Sequence, residues 1–155
     1  MSTKRDGIIV EVISCLFIIL FLYTGIMKLI TYDTFKFDIW RMPFARAVTP
    51  IMAIAVPIIE IAVSASLMHP RTRKMGLYSS FILMVIFTLY VGLLLSTTKH
   101  LPCTCGGVIR EMSWSQHLWF NIFFSLLGII GINRYTKLNR STFRKTNVAL
   151  SVKHT

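Results

Sequence analysis

Acidic side chains are scarce in this sequence: six Asp and Glu stand against seventeen Lys and Arg, for a formal charge of +11 over 155 residues. In a soluble protein that imbalance points to nucleic acid. Here neither a nucleic-acid-binding fold nor a readout motif accompanies the charge, and the nucleic-acid reading is set aside. No long internal repeat or low-complexity stretch is present, which excludes repeat arrays. Only three cysteines occur, Cys15, Cys103 and Cys105, so no framework of several disulfides is available.

What the chain has in abundance is apolar surface. Apolar residues make up 54% of it and the mean hydropathy is +0.64. A soluble core of this size cannot hide so much. The apolar residues fall into four runs, about 8–30, 50–68, 76–97 and 113–132, the last with an amphipathic first half. Each approaches the roughly 20 residues that cross a bilayer core of about 30 Å as a helix. Backbone groups find no partners in lipid, so spans of this length are helical. The expected fold is all-α, an integral membrane bundle of four transmembrane helices. The first run follows Lys4 and Arg5 as a signal peptide would, yet it is longer than a signal core and has no small-residue cleavage site before Lys28. It reads as a retained helix.

The distribution of charge predicts orientation. Lys4, Arg5, Arg71, Arg73, Lys74 and the tail's Arg134, Lys137, Arg140, Arg144, Lys145 and Lys153 lie on one side, eleven of the seventeen basic residues. Lys28, Lys36, Arg41, Arg46, Lys99 and Arg110 lie on the other, partly balanced by Asp33, Asp38 and Glu111. The positive-inside rule puts both termini in the cytoplasm and loops 31–49 and 98–112 outside. Residues 1–133 form the transmembrane domain on this reading, and 134–155 a basic, flexible cytoplasmic tail drawn to anionic headgroups. Loop 31–49, with Phe35, Phe37, Trp40 and Phe44, is apolar enough to be ordered, lying on the membrane or capping the bundle.

The chemistry expected of this chain centres on Cys103-Thr104-Cys105-Gly106-Gly107, preceded by Pro102. An outward loop meets an oxidising compartment where disulfides form. A disulfide across one intervening residue closes a small ring, and ring strain makes a bond easier to reduce and a better oxidant. Gly106 and Gly107 permit the backbone conformations such a ring or a close partner requires, and Pro102 restrains the approach to it. Three readings stand: a redox pair, a static clip or packed thiols, and a soft-metal site. The last joins Cys103 and Cys105 to His100, Met112 or His117, a set suited to copper; the spacing is poor for structural zinc.

Other polar residues fall inside the apolar runs. At 100° per residue, Trp114, His117, Asn121, Ser125 and Gly128 form one stripe of the last helix, expected to face the bundle. His117, twelve residues after Cys105, either activates a thiol as a base, hydrogen-bonds a quinone-like acceptor, or only packs helices together. Glu60, near the middle of the second run, must be protonated, paired or beside water. Lys28 is a snorkelling anchor, a partner of Asp33 or an aid to a thiolate. Cys15 lies about 20 Å from the outer surface by helical rise and is expected to be a small core residue.

The segment Tyr23-Thr24-Gly25-Ile26-Met27-Lys28-Leu29-Ile30, the following Phe35 and Phe37, and Pro57-Ile58-Ile59-Glu60 resemble the DoxX-like superfamily, in particular its methylamine-utilisation MauE branch. The cysteine segment with Trp114, His117 and Asn121 resembles redox-associated members of that branch. The similarity runs over most of residues 8–132. It implies a four-helix inner-membrane protein linked to thiol–disulfide chemistry, for MauE the maturation of the disulfide-rich small subunit of methylamine dehydrogenase. The expected function is a membrane thiol–disulfide oxidoreductase or relay that exchanges with a periplasmic thioredoxin-like protein or an exported thiol protein. With no second outer cysteine pair, an oxidase of this kind passes electrons from Cys103 or Cys105 directly to its acceptor, a quinone between the helices. The rival functions are a non-catalytic assembly factor and a copper-handling protein.

Overall fold

A computed structural model of the chain describes residues 2–40, 48–97 and 113–153. Five helices make it up: α1 (Ser2–Ile30), α2 (Tyr32–Trp40), α3 (Thr49–Met68), α4 (Arg73–Thr97) and α5 (Trp114–Lys153). No strand occurs among the described residues. Four of the helices hold stretches long and apolar enough to cross a membrane: Lys4–Ile30, Thr49–Met68, Arg73–Leu93 and Ser115–Ser141.

Local chemistry sets the ends of these helices. Pro50 sits in the first turn of α3, where a missing N–H costs nothing. After α3 the backbone at His69 is extended, as expected before Pro70. Thr72 closes the turn, donating its hydroxyl to the Ser66 carbonyl at 2.8 Å, and α4 starts at once. At the start of α5, Ser113 and Gln116 form a reciprocal capping box: the Gln116 amide donates to Ser113 Oγ at 3.3 Å and the Ser113 amide to Gln116 Oε1 at 2.9 Å.

Two boundaries differ from the expectation. Residues 32–40, expected as ordered loop, form α2, whose Asp38 and Ile39 are buried. The helix expected to close at 132 continues to Lys153. No glycine or proline follows Gly131, so nothing breaks the backbone ladder. Asp6 of α1 also grips the extension, accepting a bond from Arg134 Nη1 at 2.8 Å with Lys137 Nζ at 3.7 Å.

The four long helices form a closed ring: α1 packs on α3 and α5, and α4 completes the circuit between α3 and α5. The short α2 lies mainly on α3. Phe17, Phe21 and Phe124 occupy the centre, with Phe17 stacked on Phe21 and edge-on to Phe124, among Ile13, Leu67, Leu77 and Met84. Glycines bring backbones close at two points. A Cβ on Gly25 would lie 3.2 Å from the Pro57 carbonyl oxygen, and one on Gly76 would lie 2.9 Å from the Leu67 amide nitrogen.

Large apolar side chains cover the outside: Ile19, Ile51, Leu89 and Trp119 are each more than 60% exposed. Polar groups turn inward instead, among them Glu60, Ser64, Ser80 and Asn121. A surface of this kind is stable against lipid and not against water. The chain is a multi-pass membrane protein. Cys15, expected in the core, lies on this outer surface as a free thiol. One turn from Glu11, it shares the face that the packing of α1 turns away from α3 and α5.

Candidate functional site

The sequence-selected polar residues of the spans converge at the bundle end where α1 finishes and α5 begins. Glu60 is 1% exposed, deep in α3, and Lys28 reaches it from the last turn of α1 to form an ion pair and hydrogen bond with its Oε1. The pairing answers how Glu60 is compensated and sets aside Asp33 as the partner of Lys28. Glu60 is met by a cation, and Lys28 turns inward rather than to Asp33, which is exposed on α2. The Lys28 ammonium also lies 5.5 Å from the Phe87 ring centroid and 5.7 Å from that of Phe35. Two aromatic faces thereby supply part of the solvation that an ammonium loses on burial.

Helix α1 comes close enough to α3 because Gly25, one turn before Lys28, has no side chain. Its missing Cβ would fall 3.4 Å from Glu60 Cβ and 3.1 Å from Ile61 Cγ1. Thr24 stands beside the Glu60 carboxylate and donates its hydroxyl back to the Phe21 carbonyl at 3.4 Å. Pro57, fully buried, turns the same face of α3 toward α1.

Helix α5 contributes the stripe expected of it. Asn121 is 3% exposed, Gly128 is buried against Phe81, and His117 is half-buried. Ser125 bonds the Asn121 carbonyl at 2.8 Å and lies 3.4 Å from the Thr88 hydroxyl of α4. Lys28 is near enough for its charge to act on His117. Trp119, at 70% exposure, faces outward as a belt residue would. The centre thus draws on α1, α2, α3, α4 and α5. Phe35, Phe87 and Thr88 are the members that sequence reasoning did not assign to it. A helical stripe identifies one helix's inward face but not the neighbour it meets.

Three buried polar atoms of the centre have no hydrogen-bond partner among the described residues: Glu60 Oε2, His117 Nδ1 and Asn121 Nδ2. Leaving such an atom unpaired costs on the order of 1–3 kcal/mol. A carboxylate oxygen offers an acceptor, an amide nitrogen a donor, and an imidazole nitrogen either. No cluster of three or more His, Cys, Asp or Glu suited to a metal occurs among the described residues.

Cys103, Cys105, Pro102, Gly106, Gly107, His100 and Met112 lie outside the described residues, as does the copper alternative built on them. Their attachment is nonetheless bounded, because α4 ends at Thr97 and α5 opens at Trp114. Those flanking residues, Thr97 and Trp114, lie at the end of the bundle that carries Lys28 and His117.

A ring of four membrane-crossing helices around a buried polar centre defines the class: a small all-helical integral membrane protein whose interior is not purely apolar. Within that class the chain belongs to the MauE family, the methylamine utilisation protein MauE, whose family model matches residues 6–134. No curated protein and no solved structure matches the chain. The match runs from Asp6 in the first candidate span to Arg134 in the fourth and includes the cysteine segment.

Proposed function

We propose that the protein is a membrane thiol–disulfide relay in which Cys103 and Cys105 form and break a disulfide, serving the maturation of exported proteins. The observation that carries the reading is the buried centre of Lys28, Glu60, His117 and Asn121, at the same bundle end as Thr97 and Trp114, which flank the cysteine segment. Membership in a methylamine-utilisation family supports a client of the methylamine dehydrogenase type.

Oxidation of the Cys103 and Cys105 thiols forms one S–S bond and releases two electrons and two protons. A quinone held between the helices would supply the two-electron, two-proton acceptor that this oxidation needs. His117 and Asn121 are suited to hydrogen-bond its carbonyl oxygens, and Lys28 supplies positive charge where electron density arrives. Glu60 Oε2 is a proton acceptor within the same centre. The disulfide then oxidises a dithiol on a thioredoxin-like or exported client by exchange, which returns Cys103 and Cys105 to thiols.

Alkylation trapping in cells tests this directly. Cys103 and Cys105 are expected as a mixture of oxidised and reduced forms that shifts toward thiols when quinone is depleted and in the His117→Ala variant. A pair that stays oxidised under every condition identifies a static clip in an assembly factor. Stoichiometric copper lost in the double Cys→Ser variant identifies copper handling.

A further inference from the structure

The opposite end of the bundle carries a second polar feature that the relay does not use. A cleft of about 390 Å³ opens where α1, α4 and α5 meet, lined by Lys4, Gly7, Glu11, Arg73, Tyr135 and Leu138, among others. Lys4, Gly7 and Glu11 recur at helical spacing, so a single face of α1 forms its wall. The geometry points to a binding site for the phosphodiester headgroup of an anionic phospholipid.

Four observations converge on that chemistry. Arg73 Nε is buried and has no hydrogen-bond partner among the described residues, although the guanidinium is built to present several donors to a phosphate. Helix α4 begins at Arg73, in the lining, so the positive end of that helix lies beside the cleft while α1 meets it side-on. A Cβ placed on Gly7 meets nothing within 4 Å, which leaves room for a headgroup against the helix backbone. The neighbouring carboxylate of Asp6 is already engaged by Arg134 and Lys137 and does not repel an incoming anion.

The cleft's own carboxylate is Glu11. It stands 3.9 Å from Arg73 Nη1 with its side chain 70% exposed, too loose and too wet to satisfy the guanidinium. A phosphate competes with it for Arg73. Apolar surface favours a lipid over free phosphate: Ile8, also in the lining, is 61% exposed, and the cleft lies at the ends of membrane-crossing helices where headgroups reside.

Native mass spectrometry of the full chain in nanodiscs and detergent tests the site, with phosphatidylglycerol, phosphatidylcholine and inorganic phosphate as separate probes. Phosphatidylglycerol is expected to be retained over phosphatidylcholine. Arg73→Gln is expected to weaken that retention about tenfold, as loss of a charge-assisted hydrogen bond does, and Lys4→Gln less. Glu11→Gln is expected to strengthen it, a gain that damage to the fold cannot mimic. Lys36→Gln on α2 is expected to change nothing. Equal retention of the two lipids, or indifference to both Arg73→Gln and Glu11→Gln, overturns the proposal. Inorganic phosphate that binds the site and displaces the lipid at equal concentration overturns the assignment to a lipid.

Discussion

Lys28 and Glu60 stand 32 residues apart in the chain and meet as an ion pair inside the bundle, with 14% and 1% of their side chains exposed. Removing one partner of a buried pair leaves the other uncompensated, at a cost of about 3–5 kcal/mol. Lys28→Met alone is therefore expected to lower thermal stability in detergent sharply. The double variant Lys28→Met, Glu60→Met is expected to recover most of the loss, because both charges leave together. Single variants as stable as the parent would refute the pairing.

Close helix approach at Gly76 makes a second expectation. A Cβ there would sit 2.9 Å from the amide nitrogen and two side-chain carbons of Leu67. The backbone atom cannot rotate away, so Gly76→Ala is expected to destabilise by about 1–3 kcal/mol. At Gly92 of the same helix a Cβ meets nothing within 4 Å. Gly92→Ala is expected to be neutral or to gain up to about 1 kcal/mol from helix propensity. Unfolding midpoints of the two variants, measured side by side, check the contrast.

Asp6 ties the extension of α5 to α1. Its partners Arg134 and Lys137 are 43% and 61% exposed, so solvent screening limits the loss in Asp6→Asn to about 1 kcal/mol. Hydrogen exchange is expected to quicken in the turn around Arg134 and Lys137 while residues 117–130 stay protected. Unchanged exchange there would mean that backbone propensity alone holds the extension.

Thiol labelling tests the orientation read from charge. After reduction, a membrane-impermeant maleimide applied from outside is expected to modify Cys103 and Cys105 and to spare Cys15. A small permeant reagent of apolar character is expected to reach Cys15, since that thiol is on the outer surface of α1. Labelling of Cys103 from the cytoplasmic side only would reverse the bundle and remove the oxidising compartment on which the relay depends.

Much of the candidate centre was legible in the sequence. Glu60, Lys28, His117 and Asn121 each attract attention because a polar group in an apolar run must be compensated. Their compensation was not legible. Asp33, five residues from Lys28, is the nearer acid along the chain, yet Glu60 is the partner, because α1 and α3 touch at Gly25 and Pro57. The Ser113 and Gln116 capping box that marks the start of α5 was not singled out in the sequence. The length of α5 was less readable, because a hydropathy window ends where charge begins, whereas the helix ends only where its backbone is interrupted or unsupported.

The sequence by itself determined that four apolar helices cross a membrane and that the polar stripe of the last one faces inward, because hydropathy and periodicity are properties of a continuous run. It also determined that eleven of seventeen basic residues fall on one side of those runs. Only the tertiary structure decided that Lys28 joins Glu60 between Phe35 and Phe87, that Cys15 lies on the outer surface, and that Arg73 and Lys4 share a cleft. Those outcomes depend on how each helix is rotated about its axis and which neighbour it meets. Packing of small and large side chains between helices sets that rotation, and no single run contains it.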